Sequence, residues 1–128
     1  MRLLLDTHVI FWWCIDQSKL RPTALAAISE AGNEVSVGVA SAWEMAIKVG
    51  LQKWPEAAEL VATFDEEMRA NDFAILPITV PHVRAAGLMP SLHRDPFDRL
   101  LAAQAQIEGF TLVTADPKVQ TLGAPWMW

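Results

Sequence analysis

Leu3-Leu4-Leu5-Asp6-Thr7-His8 is a short apolar run that stops on an acid. Arg2 to Leu5 is too short for a helix, and it reads as a strand buried on both faces, as strands of parallel sheets are. Thr7 to Ile15 follows as a first helix. Working outward, the same grammar recurs. Pro22 to Ala31, closed by Gly32, is a helix with Pro near its start and Gly past its end. Glu34 to Val37 is a second strand. It leads into a helix over Ser41 to Val49, closed by Gly50. The start of that helix, Ser41-Ala42-Trp43-Glu44, has the S-x-x-E pattern of a capping box. Ala57 to Arg69 is an amphipathic helix, Phe73 to Leu76 a third strand, and Thr79 to Gly87 a short helix capped by Thr79. Pro96 to Glu108 is a helix capped by Asp95 and ended by Gly109. Phe110 to Val113 is a fourth strand, Asp116-Pro117 opens a last short helix, and Pro125 to Trp128 is a candidate edge strand. Strands alternating with helices predict an α/β domain with helices on both faces of a mostly parallel sheet of four or five strands.

The 128 residues fit one domain, 1–128. An apolar fraction of 52% with 20% charged residues is ordinary globular usage and excludes a disordered tail or a coiled coil. The lone Cys14 excludes a disulfide framework and a cysteine metal cage. No apolar run approaches a membrane span, and Asp6 and His8 interrupt the leucines of the N-terminus before they resemble a secretory leader. The expectation is a soluble, cytoplasmic protein.

The net charge of −5 argues against nucleic-acid binding by bulk attraction. Its distribution alters that. Glu56 to Asp72 holds six acids and only Arg69 as a base, while the rest of the chain has nine of each. The acidic run is either a solvated helix face or a patch for a basic partner.

Asp6 follows the first strand, Glu44 lies on the helix after the second, and Thr114-Ala115-Asp116 follows the fourth. In open α/β sheets the carboxyl ends of the strands carry the ligand site. Asp98, in the first turn of the helix that feeds the fourth strand, reaches the same edge. Each acid has a local structural role available: capping for Asp6, Asp95 and Asp116, the capping box for Glu44, and the helix dipole for Asp98. Together they pose a different problem. Carboxylates ~5 Å apart repel by roughly 3 kcal/mol per pair at an effective dielectric of ~20. Such a set must hold cations or bind protons. All-oxygen ligands favour one or two Mg²⁺ or Mn²⁺ ions, and the matching chemistry is phosphodiester hydrolysis. Phosphate-loop, dinucleotide-binding and Ser-His-Asp motifs are absent from the sequence.

Four stretches together resemble a PIN domain: Leu3 to His8; Ser41-Ala42-Trp43-Glu44-Met45-Ala46-Ile47-Lys48; His93-Arg94-Asp95-Pro96-Phe97-Asp98-Arg99-Leu100-Leu101-Ala102-Ala103-Gln104-Ala105; and Leu112-Val113-Thr114-Ala115-Asp116. Their order and spacing resemble VapC-type toxins of toxin–antitoxin systems, over essentially the whole chain. The resemblance implies a three-layer α/β/α fold and a Mg²⁺- or Mn²⁺-dependent endoribonuclease. It further implies an antitoxin partner, contact with DNA only through that antitoxin, and a homodimer. The family's acid quartet falls on Asp6, Glu44, Asp98 and Asp116, as metal ligands and catalytic groups. Asp95 then caps the helix or supports the site from behind, and Thr7 and Thr114 flank the acids as hydrogen-bond donors. Many PIN domains have Asn two residues after the first acid. His8 stands there instead, either to bind phosphate when protonated or, the favoured reading, for packing or hydrogen bonding.

Two rival readings remain. One is a catalytically silent PIN-fold module acting only through its antitoxin. The other is a strand-end-Asp phosphatase of the haloacid-dehalogenase type, which requires an acid where His8 stands. Lys48 is expected to pair with Glu44 at i,i+4. Arg94 and Arg99 are candidate phosphate contacts or surface ion pairs. Trp43 and Cys14 are expected in the core. Trp12 and Trp13, facing different ways, are expected to divide between core and partner interface, and a tryptophan near the acids could stack a base. His82 and His93 are not expected to be ligands.

Overall fold

The computed structural model describes all 128 residues. Five strands, β1 (Arg2–Leu5), β2 (Glu34–Gly38), β3 (Ala74–Leu76), β4 (Thr111–Val113) and β5 (Trp126–Met127), form one sheet in the order β3-β2-β1-β4-β5. Every pairing is parallel. The helices are α1 (Thr7–Ile15), α2 (Pro22–Ser29), α3 (Val39–Gly50), α4 (Ala58–Ala62), α5 (Phe64–Ala70), α6 (Val80–Leu88), α7 (Pro96–Glu108) and α8 (Pro117–Gln120). The result is the expected three-layer α/β/α fold. The candidate edge strand is real, and it pairs Leu112 with Trp126.

The first strand organises both cores. Side chains alternate across a strand. Leu3 and Leu5 accordingly join Val9, Ile10, Val35, Val37, Met45, Leu60, Phe64 and Met68 on one face. Leu4 joins Leu101, Ala102, Ala105, Leu112 and Val119 on the other. All three leucines are fully buried, which explains an apolar run with no polar alternation. The chain first winds outward from β1 through β2 to β3. It then crosses back, through α6 and α7, to lay β4 on the other side of β1. The topological switch point is therefore between β1 and β4, where Asp6 N–H donates to the Val113 carbonyl at 3.0 Å.

Several boundaries differ from the sequence reading. The helix expected over Ala57 to Arg69 is a 3₁₀ turn (Pro55–Ala57) followed by α4 and α5, with a break at Thr63. Thr63 Oγ1 donates to the Glu59 carbonyl at 3.1 Å, a local bond of the kind that competes with helix continuation. The third helix starts at Val39, not Ser41, with Gly38 as its cap, so the Ser41–Glu44 capping box does not form. That earlier start turns Ser41, Glu44 and Met45 inward and Trp43 outward. Trp43 is 60% exposed and meets Phe97 edge-on at 5.2 Å, contrary to the core position expected for it. Cys14 is half-buried rather than buried, and burial, then the Glu67 charge, pushes its thiol up to about 11. Trp12 and Trp13 do face different ways, but both pack against the core cluster. Trp13 lies against Phe73 and donates to Asn71 Oδ1, while Trp12 lies against Trp128. The acidic residues of the 56–72 run are all exposed. No helix is long and apolar enough to cross a membrane.

Candidate active site

Asp6, Glu44, Asp98 and Asp116 all lie at the carboxyl edge of the sheet, delivered by the end of β1, α3, the first turn of α7 and the end of β4. Asp6 and Glu44 are the most buried, with 7% and 6% of their surfaces exposed. Asp6 Oδ2 accepts the Thr114 hydroxyl at 2.6 Å and its Oδ1 accepts the His8 backbone N–H at 3.3 Å. Thr114 Oγ1 in turn accepts the Asp116 N–H at 3.1 Å. One buried hydroxyl thus ties the first acid of the chain to the last. Asp116 also caps α8 through the Lys118 N–H.

The other two acids carry cationic or imidazole partners. Glu44 Oε2 pairs with Lys48 Nζ at 3.0 Å, the i,i+4 contact read from the sequence. Asp98 Oδ2 meets His93 Nε2 at 2.7 Å. Asp95 Oδ1 accepts the N–H groups of Phe97 and Asp98, so it is the cap of α7. Thr7 donates to Ser41 Oγ at 2.9 Å, and both line a small cavity together with Asp98.

The acids feel one another. Burial raises the Asp6 carboxyl above its ordinary range, opposed by the Thr114 bond and His8 and reinforced by Glu44. Burial also pushes Asp98 up to about 6; the His93 bond opposes this, and the charges of Asp95, Asp6 and Glu44 add to it. A set of oxygen donors strained in this way suits a hard divalent cation, which would relieve the repulsion. In the present side-chain arrangement no three Asp, Glu, His or Cys groups converge on one point. Glu44 and Asp98 each turn one carboxylate oxygen to Lys48 and His93.

Sequence reasoning missed two residues. His93 lies five positions before Asp98, which is no helical or strand spacing; the turn capped by Asp95 folds it back. Arg99 makes no ion pair with an acid. Its guanidinium donates to the carbonyls of Ala86, Gly87, Met89, Ser91 and His93, pinning the loop that delivers His93. Five carbonyls from an irregular loop leave no side-chain signal in sequence. His82 is buried between Thr79 and Glu108, away from the acids.

An all-parallel sheet with a carboxylate rim at its switch point defines the class: a three-layer α/β/α domain with an acidic edge. The PIN domain model matches residues 3–124, and the chain belongs to the PIN domain family. It is 29% identical to the Mycobacterium tuberculosis protein Ribonuclease VapC22, over 93% of this chain and 90% of that protein. Its fold matches VapBC2 from Rickettsia felis bound to a promoter DNA fragment, with a TM-score of 0.69 at 18% identity, over 99% of this chain and 98% of that one. It also matches FitAB bound to the IR36 DNA fragment, with a TM-score of 0.68 at 20% identity, over 98% and 93% of the two chains.

Proposed function

We propose that the chain is a divalent-metal-dependent endoribonuclease, the toxin of a toxin–antitoxin pair, with Asp6, Glu44, Asp98 and Asp116 as its metal-binding and catalytic groups. The observation that carries the reading is the gathering of four carboxylates, Asp6, Glu44, Asp98 and Asp116, at the carboxyl edge of the sheet beside its switch point. A purely structural rim has no reason to gather such charge at the switch point. Likeness to a protein named as a ribonuclease supports the RNA substrate, and likeness to chains solved as VapBC and FitAB supports an antitoxin partner that carries any DNA contact. The homodimer, the single-domain organisation and the cytoplasmic location follow the same family pattern.

The four acids would hold one or two Mg²⁺ or Mn²⁺ ions, which supply activation of the attacking water and charge neutralisation at the phosphodiester. The protein's own part is positioning. Thr114 fixes one oxygen of Asp6, so its carboxylate cannot rotate freely. Asp95 closes the turn of α7 and sets where Asp98 points. Arg99 holds the loop on which His93 stands, and His93 holds Asp98.

The test is cleavage of a mixed RNA by purified protein in Mg²⁺, Mn²⁺ or EDTA, with Asp98→Asn purified in parallel. Cleavage that EDTA abolishes and the variant lacks is expected. Equal behaviour of the two proteins would overturn the catalytic assignment and favour the antitoxin-partnered binder.

A further inference from the structure

Three aromatic rings stand in a row at the acid rim. His8, on the first turn of α1, is exposed and stacks on Trp54 with centroids 4.9 Å apart and planes 25° apart. Trp12, one turn further along α1, is tilted against His8 at 5.8 Å. Both outer members are braced. Trp54 packs against Phe11 at 4.9 Å and has Lys48 Nζ 5.6 Å from its centroid. Trp12 rests on Trp128 at 5.8 Å. The imidazole between them is fixed by its neighbours yet open to solvent. His8 and Trp12 line a cleft of about 350 Å³ whose other residues include Asp6, Ala115 and Asp116. That volume lies within the ~300–1,000 Å³ of small-ligand sites.

An aromatic wall facing two carboxylates suits a flat heterocycle with N–H groups. Nucleobases are such heterocycles, and base–aromatic stacking holds single strands to proteins without regard to sequence. We infer that this cleft is a nucleobase subsite, in which an unpaired base of the substrate stacks against His8 and Trp12 beside the acid rim. The inference rests on the ribonuclease reading and narrows its substrate. A base within a duplex is stacked on both faces and offers none to the protein, so the RNA must be single-stranded or splayed open at this position. It also gives His8 a role in binding rather than in packing alone.

The test is binding without cleavage. Asp98→Asn protein in EDTA is titrated with a labelled single-stranded oligoribonucleotide of mixed sequence, and with a chain of equal length and charge that lacks the bases. Polarisation should show the intact strand binding about ten-fold more tightly or better, in line with stacking of one base. Adding His8→Ala should erase most of that difference and leave the abasic chain unaffected. Adding His8→Phe, which keeps a ring without its nitrogens, should restore it. His8→Ala should melt slightly lower through loss of its contacts with Trp54 and Trp12, while His8→Phe, which keeps a ring between them, should melt like the parent protein. Equal binding of the two strands overturns the subsite and leaves the ribonuclease reading standing. Equal loss for both strands in His8→Ala also overturns it, because His8 then serves a phosphate. Failure to bind either strand counts against the ribonuclease reading itself.

Discussion

The two halves of the acid rim are held in different ways. Asp6 and Asp116 are fixed by neutral donors: the Thr114 hydroxyl, two backbone N–H groups and the frame of β1 and β4. Glu44 and Asp98 are held by the side chains of Lys48 and His93, on a helix and on an irregular loop. On the proposed metal-binding reading, the first half would offer a cation a fixed frame, and the second half would offer carboxylates that already share one oxygen with Lys48 or His93. Rigid geometry therefore resides at the switch point, and adjustable charge resides on the helices around it.

The largest effect should come from breaking the fixed half at its centre. Asp6→Asn keeps the volume and the Thr114 contact but removes the charge. Loss of a metal ligand should lower cleavage by at least about 10³-fold, the scale of the several kcal/mol that metal assistance supplies. The thermal midpoint in EDTA should not fall, because burial already disfavours the Asp6 charge. Single-turnover cleavage and a melt in the same buffer check both halves of the statement. Cleavage at the wild-type rate would remove Asp6 from the site.

Thr114→Val should have the next largest effect. It deletes the one hydroxyl joining Asp6 to the Asp116 backbone while nearly keeping the shape. Removing a group that orients a metal ligand typically weakens affinity or activity by 10–100-fold. The expected signature is a higher Mg²⁺ requirement, with cleavage recovering at saturating metal. Thr7→Val should not reproduce it, because Thr7 bonds Ser41 and none of the four acids.

This contrast also marks what was legible in the sequence. Asp6, Thr114 and Asp116 sit at the ends of short apolar strands, and strand ends are fixed by periodicity and topology. The Lys48–Glu44 pair follows from helical spacing. His93 and Arg99 were not legible in these roles, because a loop pinned through backbone carbonyls has no period. Trp43 was misplaced for a related reason. The capping-box pattern at Ser41 hid the earlier start at Val39, and a shift of helix start alters which side chains meet the core. The break at Thr63 was equally hidden, since the apolar pattern of 57–69 runs through it.

A smaller effect belongs to stability in the adjustable half. The Asp98 carboxyl is held near 6, above its ordinary value. A raised acid binds its proton more tightly in the folded state than in the unfolded one. Its ionisation therefore destabilises the fold as pH rises from about 4 through 6, and does nothing below that window. The full shift corresponds to roughly 3 kcal/mol, which solvent screening at a part-exposed site reduces to about 1–2 kcal/mol. Asp98→Asn in EDTA should melt a few degrees higher than wild type at pH 7.5 and at the same temperature near pH 4. A gain that persists unchanged at pH 4 would show that Asp98 charge is not its source.

The smallest effect should come from Lys48→Met, and it probes directly whether Glu44 exchanges Lys48 for the ion. The methionine keeps the aliphatic contact with Trp54 but leaves Glu44, whose side chain is 8% exposed, without its cation. Exposed i,i+4 pairs contribute only ~0.3–0.5 kcal/mol, but a carboxylate this buried loses more when left alone, about 1 kcal/mol. The variant should therefore melt slightly lower than wild type in EDTA. Saturating Mn²⁺ should then raise its midpoint by more than it raises that of wild type. That larger increment is expected if the ion displaces the Lys48 ammonium in wild type, since in the variant that competitor is gone. Equal Mn²⁺ increments would mean that Glu44 keeps its lysine when the ion binds.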